Sequence, residues 1–446
     1  MTAIDQPLIS VAISRNSNLT GLVLAALLSA NSINVLIYFF VGSSSEVTAA
    51  LLAVYLVGLF ALTFRADVVV NSADYLFALF VFCVLMSLAS NGNTALTKEW
   101  LIFVTSLSAY PACRFLTVSQ LHESRRAFNW TTGAVVALGV IVTAQALVHQ
   151  WYEMHGKPTI AGYDAASTIF MGSLAFLLIS LATDRLTRHR TIILVACACP
   201  AVTIFAASLV RGTFVALIAT LLIPLTMSRG ARRRYIAITV SVVVASVVGG
   251  AASRSMHSKV LLSYISADES PVAAAPQSAS TVAAPQAPTP AATAPALPRI
   301  EEARPPSCST QVDLNNSISE RKALLRDGLY LLPLSGAFGF GLDGFMKHSC
   351  MTGFQVHNSI LQAVIEFGWV GGSTLTILIA ISLWRLFPLA RGSIDAQFAL
   401  CSLAYIVLIS LMHGRTSRDI ALFALLGLSA AVSHQSEAGA EARSRP

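Results

Sequence analysis

One histidine, two arginines and a run of glycines carry the residue types and spacing in this chain that could do chemistry. His357-Asn358 is followed, after nine residues, by Gly368-Trp-Val-Gly371. On an unbroken helix turning about 100° per residue, Gly368 falls about 20° to one side of His357 and Gly371 about 40° to the other. Such a stripe carries a titratable imidazole at its top and two glycines below it, where another helix could approach closely. An imidazole titrating near neutrality can accept a proton from an attacking hydroxyl. A histidine at a helix start is also commonly a cap or a simple polar contact. Arg211 and Arg321 each offer a permanent charge and a planar fork suited to phosphate oxygens. The plain alternatives are a snorkelling helix-end arginine for Arg211 and a solvated one for Arg321. Lys322 and Arg326 lie on another face of the same stretch, as secondary phosphate contacts or solvated residues. Gly336, Gly339, Gly341 and Gly344 permit tight turns and close approach of backbone N–H groups to an anion, although such a run is often only a turn. Glu366 lies about 180° from His357 on the same helix, which makes it a poor partner for that histidine. His155, His348 and His413 could contact sugars and by default are solvated.

The elements that must position these residues are membrane helices. Hydrophobic residues make up 55% of the 446-residue chain and charged residues 11%. That is about half the charge of an ordinary soluble domain. Apolar runs near 20 residues recur throughout, which predicts an all-α polytopic membrane protein and excludes the short alternating strands of a β-barrel. The spacing predicts about twelve transmembrane helices, near 19–41, 47–64, 70–90, 98–113, 129–149, 166–183, 191–209, 211–227, 235–252, 366–387, 396–412 and 419–433. The polar, mixed N-terminus lacks the pattern of a cleavable signal, so the first helix is expected to be retained. With the N-terminus inside, the inner segments hold sixteen arginines and the short outer loops only Lys98, Lys157, Arg211, Arg415 and Arg418. That bias predicts cytoplasmic termini, with 434–446 as a cytoplasmic tail. It also accounts for the net charge of +7 without a nucleic-acid partner.

Helices 1–9 would then occupy 1–252 and helices 10–12 would occupy 366–433, with one large external loop at 253–365. Residues 271–306 of that loop hold nine of the seventeen prolines, with much Ala, Gln, Ser and Thr, and are expected to be disordered. Residues 312–365 are expected to fold, with a helix near 318–332 capped from Asn315-Asn316-Ser317. Arg321, Leu324, Leu325 and Gly328 would share one side of it. Cys308 and Cys350 are the only cysteines of the loop, so an oxidising compartment would permit a disulfide between them; otherwise they stay as two thiols. No cofactor or metal is expected: neither a phosphate-binding Gly-x4-Gly-Lys motif nor any metal-like Cys/His spacing is visible.

The His357-Asn358, nine-residue, Gly368-x-x-Gly371 pattern resembles the signature of the bacterial O-antigen ligase family. There, His is followed by Asn, Ser or Gln, then nine residues, then Gly-x-x and Gly, Thr or Tyr. Leu209-Val-Arg211-Gly212 is similar to that family's Ser-Arg-Gly helix opening, with Val210 in the serine position. Arg321, followed by Ala337-Phe-Gly339-Phe-Gly341-Leu-Asp-Gly-Phe345, resembles its Arg-x14-Pro-Leu-x-Gly-x-Gly element, with Gly336 where proline is common. The resemblance implies a glycosyltransferase of lipopolysaccharide biosynthesis in a bacterial inner membrane, with its active site facing the periplasm. It implies undecaprenyl-pyrophosphate-linked O-antigen as donor and lipid A–core oligosaccharide as acceptor, within membrane lipid. His357, Arg211 and Arg321 would be catalytic, with Asn358, Gly339, Gly341, Arg326 and Lys322 binding substrate. Two alternatives come from the same superfamily, an O-antigen polymerase and a protein O-oligosaccharyltransferase. A third, from another class, is a transporter or flippase of lipid-linked glycans.

Overall fold

The computed structural model describes residues 6–42, 45–64, 69–150, 158–162, 166–184, 187–208, 212–253, 308, 317–351 and 353–444. Arg211, the proline-rich 271–306, the capping pair Asn315-Asn316, and His155 lie outside them. The described residues are helical, with no β-strand. Among the described residues, ten helices precede the large loop: α1 Gln6–Leu28, α2 Ala30–Val41, α3 Ser45–Thr63, α4 Ser72–Asn91, α5 Thr97–Arg114, α6 Val118–His149, α7 Ala166–Thr183, α8 Arg188–Ala207, α9 Gly212–Met227 and α10 Gly230–Ala252. Within the loop stand α11 Ser317–Leu331 and the short α12 Gly344–His348, and after it α13 Ser359–Leu389, α14 Ile394–His413 and α15 Ile420–Ser444.

A helix occupies each of the twelve expected apolar ranges. Among the described residues, α4, α6, α10, α13 and α14 are long and apolar enough to cross a membrane. The first expected span is not straight: it breaks at Ser29, where Ser17–Leu28 and Ala30–Val41 meet at 77°, and as one bent unit this pair would be a sixth. The exterior is that of a membrane protein. Phe82, Leu85, Leu101, Ile141, Val215 and Trp384 are all exposed, a distribution that water would penalise and lipid would not.

Buried Arg114 and Arg125 and half-buried Arg232 fasten the helix ends remote from the loop. Arg114 forks onto Asp74 at 2.9 Å and also donates to the carbonyl of Val69. Arg125 meets Asp395 at 3.1 Å, and Arg232 donates to Gln397 and to the carbonyl of Thr183 at 2.8 Å. Arginines that read in sequence only as topology signals therefore also clamp α4 to α5, α6 to α14, and α10 to α7 and α14. A charged group held near a bilayer needs such a partner.

The loop brings its own small core. Leu324 and Leu331 of α11 pack with Phe345, Met351 and Val356, and with Leu361 and Ile365 of α13. On α11, Leu324, Gly328 and Leu331 are buried and set the apolar stripe, while Arg321 and Leu325 are exposed at its edge. α13 begins at Ser359, so its first turns belong to the loop core as much as to the bundle.

Candidate active site at the loop end of the bundle

α13 is not one continuous helix. Ser359–Phe367 forms a rod that breaks at Gly368, whose φ of 77° and ψ of 178° are open to glycine and costly for other residues. The rod carbonyls freed near the break are taken by the glycine-rich turn of the loop. Phe340 N–H donates to the Ile365 carbonyl at 3.0 Å, Gly341 N–H to the Glu366 carbonyl at 3.0 Å, and Trp369 N–H to the Gly336 carbonyl at 2.9 Å. Ser87 of α4 donates a further bond to the Glu366 carbonyl at 2.8 Å, and Asn91 donates to the Gly339 carbonyl at 3.1 Å. A methyl group on Gly339 would lie 2.3 Å from the Glu366 carbonyl carbon, and one on Gly368 would lie 2.1 Å from the Ala337 carbonyl oxygen. Beneath the break, Phe367 stacks on Phe103 at 5.2 Å and meets Phe80 edge-on at 5.8 Å.

Two sequence expectations are corrected here. Gly339, Gly341 and Gly344 do not hold their N–H groups free for an anion: Gly339 donates to the Ser335 carbonyl at 2.9 Å, Gly341 to α13 and Gly344 to the Gly341 carbonyl at 2.9 Å. The turn splices the loop to the membrane helix. Nor do His357, Gly368 and Gly371 form one helical stripe. His357 stands before the helix with a left-handed φ of 55°, and Gly368 interrupts it. Gly371 does let a neighbour approach, since a methyl group there would lie 3.3 Å from Cys83 Cβ on α4.

The turn that holds His357 is fixed on both sides. Asn358 caps α13, its Oδ1 accepting from Leu361 N–H at 3.0 Å, so that oxygen is already engaged in holding the helix. Ser359 donates to Asp419 at 3.0 Å and its carbonyl accepts from Thr416 Oγ1 at 2.6 Å. His357 is half-buried, and burial, followed by the charge of Arg321, pulls its imidazole below the ordinary value. The side chain is thereby held in the neutral form that can accept a proton.

Arg321 reaches from α11 to the end of α14, where its Nη2 lies 3.1 Å from His413 Nδ1. Guanidinium groups only donate, so His413 Nδ1 is the acceptor and any ring proton sits on Nε2. That Nε2 faces the start of α9: a methyl group on Gly212 would lie 3.2 Å from it. Arg321, His413, the first residue of α9 and, through the charge of Arg321, His357 thus gather at one end of the bundle. Arg211 immediately precedes Gly212 in sequence. Lys322 and Arg326 are exposed on α11.

A second polar cluster underlies the first, and sequence reasoning missed it. Arg415 Nη2 lies 2.7 Å from Asp343 and 3.1 Å from Glu99, while Arg418 lies 2.6 Å from Glu99. Gln355 donates to Asp343 at 3.2 Å, and Gln362 to Gln355 at 3.0 Å and to Glu366 at 2.9 Å. Glu366 is fully buried, and its contact is with Gln362, one turn away, rather than with His357. On α11, buried Asp327 accepts from Ser349 at 2.8 Å and from Cys350 N–H at 2.9 Å. Cys350 is bonded to Cys308, with a Cα–Cα distance of 4.9 Å. The visible signal for this cluster was Arg415-Thr-Ser-Arg418-Asp419, three charges in five residues between two apolar helices.

The arrangement offers an imidazole shifted toward its neutral form and a guanidinium at one end of an apolar bundle, both on a loop bonded to the bundle helices. Comparison with known protein families, with curated proteins and with solved structures finds no match.

Proposed function

We propose that this chain is an O-antigen ligase: an inverting glycosyltransferase of a bacterial inner membrane that moves O-antigen polysaccharide from undecaprenyl pyrophosphate to the lipid A–core oligosaccharide. The observation that carries the reading is the meeting of Arg321 with His413 beside the start of α9, with the charge of Arg321 acting on His357. Four segments far apart in sequence supply those residues, and three of them, those of Arg321, Gly212 and His357, have a counterpart in the ligase signature.

In the proposed reaction a core-sugar hydroxyl attacks the anomeric carbon of the donor. The new C–O bond forms as the bond to the pyrophosphate oxygen breaks, with inversion, and the hydroxyl proton passes to His357. Arg321 and Arg211 stabilise the charge that develops on the departing lipid pyrophosphate, a task suited to two bidentate cations. The reaction draws on the donor's activated bond, so it runs in EDTA. In this reading the chain crosses the membrane twelve times with both termini in the cytoplasm, and the loop after α10 lies in the periplasm. The arginine bias supports that orientation. Labelling of single cysteines by an impermeant reagent in intact cells tests it: a probe at 285 reacts and one at 233 does not.

The test of function is transfer in vitro with purified protein, lipid-linked O-antigen and lipid A–core. Appearance of polysaccharide on lipid A–core supports the proposal. Elongation of the lipid-linked glycan with no use of the core would make the protein a polymerase. Movement of the intact donor across vesicles with no covalent product would make it a transporter.

A further inference from the structure

A cleft opens at the end of the bundle remote from His357. α8 and α10 run in the same direction, and they touch at their C-terminal halves. There a methyl group on Gly250 would lie 2.4 Å from the Thr203 carbonyl oxygen, and Ser246 contacts Cys199 Sγ at 3.4 Å. Residues of their N-terminal halves line a cavity of about 900 Å³. This lies at the upper end of the range for small-molecule sites, roughly 300–1,000 Å³.

The lining is layered. Arg188, Gly230, Arg234 and Tyr235 come from the first two turns of the two helices, at the mouth. Ile192, Val195, Ala196 and Ile238 lie further along the same helices and are apolar. Between Arg188 and Ala196 the helical rise is about 12 Å, and the same holds from Gly230 to Ile238. Among the described residues, no aspartate or glutamate lines the cavity. Arg232, between these residues in sequence, turns away to Gln397 and Thr183, so the cationic mouth is made by Arg188 and Arg234 rather than by the whole basic run. α10 also begins without a side-chain cap, Arg229 making no capping bond.

We propose that this cleft binds an anionic phospholipid. One acyl chain lies along Ile192, Val195, Ala196 and Ile238, and the phosphate sits between Arg188 and Arg234, with the Tyr235 hydroxyl as a further donor. The charge of the mouth selects an anionic headgroup, and the apolar depth selects a lipid over a free phosphate. The site is independent of the glycosyl transfer proposed above.

The experiment uses full-length protein in detergent with photoactivatable phosphatidylglycerol or phosphatidylcholine, cross-links being mapped by mass spectrometry. Phosphatidylglycerol should label 188–199 and 230–238, and phosphatidylcholine should label them about thirtyfold less, from two basic residues near an anionic headgroup. R188Q/R234Q should reduce phosphatidylglycerol labelling to the phosphatidylcholine level, while R126Q, which removes an exposed charge outside the cleft, should not. I238W, which fills the apolar part without changing charge, should also abolish labelling. Equal labelling by the two lipids in the wild-type protein, a comparison that needs no variant, would overturn the proposal. So would displacement of phosphatidylglycerol by millimolar inorganic phosphate, which would make the mouth a free-anion site.

Discussion

Replacing Gly368 by alanine should uncouple the loop from the bundle. The backbone there has φ 77° and ψ 178°, a region that costs a non-glycine residue about 1–3 kcal/mol. The added methyl group would also lie 2.1 Å from the Ala337 carbonyl oxygen, so the loop turn must move away. Three backbone hydrogen bonds cross that contact, from Phe340, Gly341 and Trp369. At about 0.5–1.5 kcal/mol each, their loss adds roughly 2–4 kcal/mol, for a total of about 3–7 kcal/mol. Gly336 is the matched control. Its φ is also positive, at 61°, but a methyl group there meets nothing within 4 Å, so alanine should cost only about 1–2 kcal/mol. Thermal unfolding of the purified proteins in one detergent should rank wild type above G336A and G336A well above G368A. G368A should also lose transfer activity, because His357 and Arg321 would no longer share a fixed frame. Equal unfolding midpoints for G336A and G368A would refute the splice.

The remaining predictions concern the site and its supports. His357→Ala should leave donor binding intact and lower the transfer rate by a factor on the order of 10²–10⁴, read by in vitro ligation beside a donor-binding assay. Because burial and Arg321 hold the imidazole below its ordinary value of about 6.5, the rate should fall with acidification only below that pH. R321Q should move the acid limb upward, since a cation that disfavours protonation is removed; an unmoved limb would take His357 out of the proton transfer. The sign for stability is the same. The unfolded chain binds this proton more tightly, so the histidine's contribution is present above the unfolded value and lost as the pH falls through the folded one. Arg415→Ala should destabilise by about 2–3 kcal/mol in thermal unfolding, less than a fully buried pair because Arg415 is 19% exposed and Glu99 keeps Arg418. Opening the Cys308–Cys350 bond, which spans 42 residues, should lower loop stability by about 3–4 kcal/mol on chain-entropy grounds, read as faster proteolysis of the reduced or C308S protein.

What the sequence made legible was local or compositional. Apolar runs marked where helices lie, and an amphipathic stretch near 318–332 marked α11, found at Ser317–Leu331. The two loop cysteines marked their own bond once a compartment was assumed. The kink at Gly368 was not legible, because the helical-wheel calculation assumes the continuity that it is used to test. Gly-Trp-Val-Gly reads equally well as a helix-contact face and as a break, and only the carbonyl of Ala337, 31 residues upstream, decides between them. The same limit hid the role of Arg415. Its partners Glu99 and Asp343 lie in different loops and helices, and no spacing rule links positions 99, 343 and 415. His413 looked like a solvated loop residue until α11 set Arg321 against it.

The nine-residue spacing between Asn358 and Gly368 now has a physical reading. It is the length of the rod Ser359–Phe367, about 13.5 Å at the helical rise. At one end the Asn358 cap and the bonds of Ser359 to Asp419 and Thr416 fix the turn that holds His357. At the other end the Gly368 break receives the glycine-rich turn of the loop. Between them, Gln362 accepts from Thr416 N–H at 3.0 Å and donates to Gln355, so the middle of the rod is held by both neighbours. α11, which carries Arg321, packs through Leu324 and Leu331 onto Leu361 and Ile365 of the same rod. The rod is therefore the common reference for the histidine and the arginine. Changing its length by one residue would rotate the His357 turn by about 100° relative to the splice that orients α11. A base and a phosphate-binding group that must act on one substrate need fixed mutual geometry, and side chains on separate loops do not have it by default. On this view the glycines of the motif contribute no chemistry of their own. They set the register in which His357 faces Arg321.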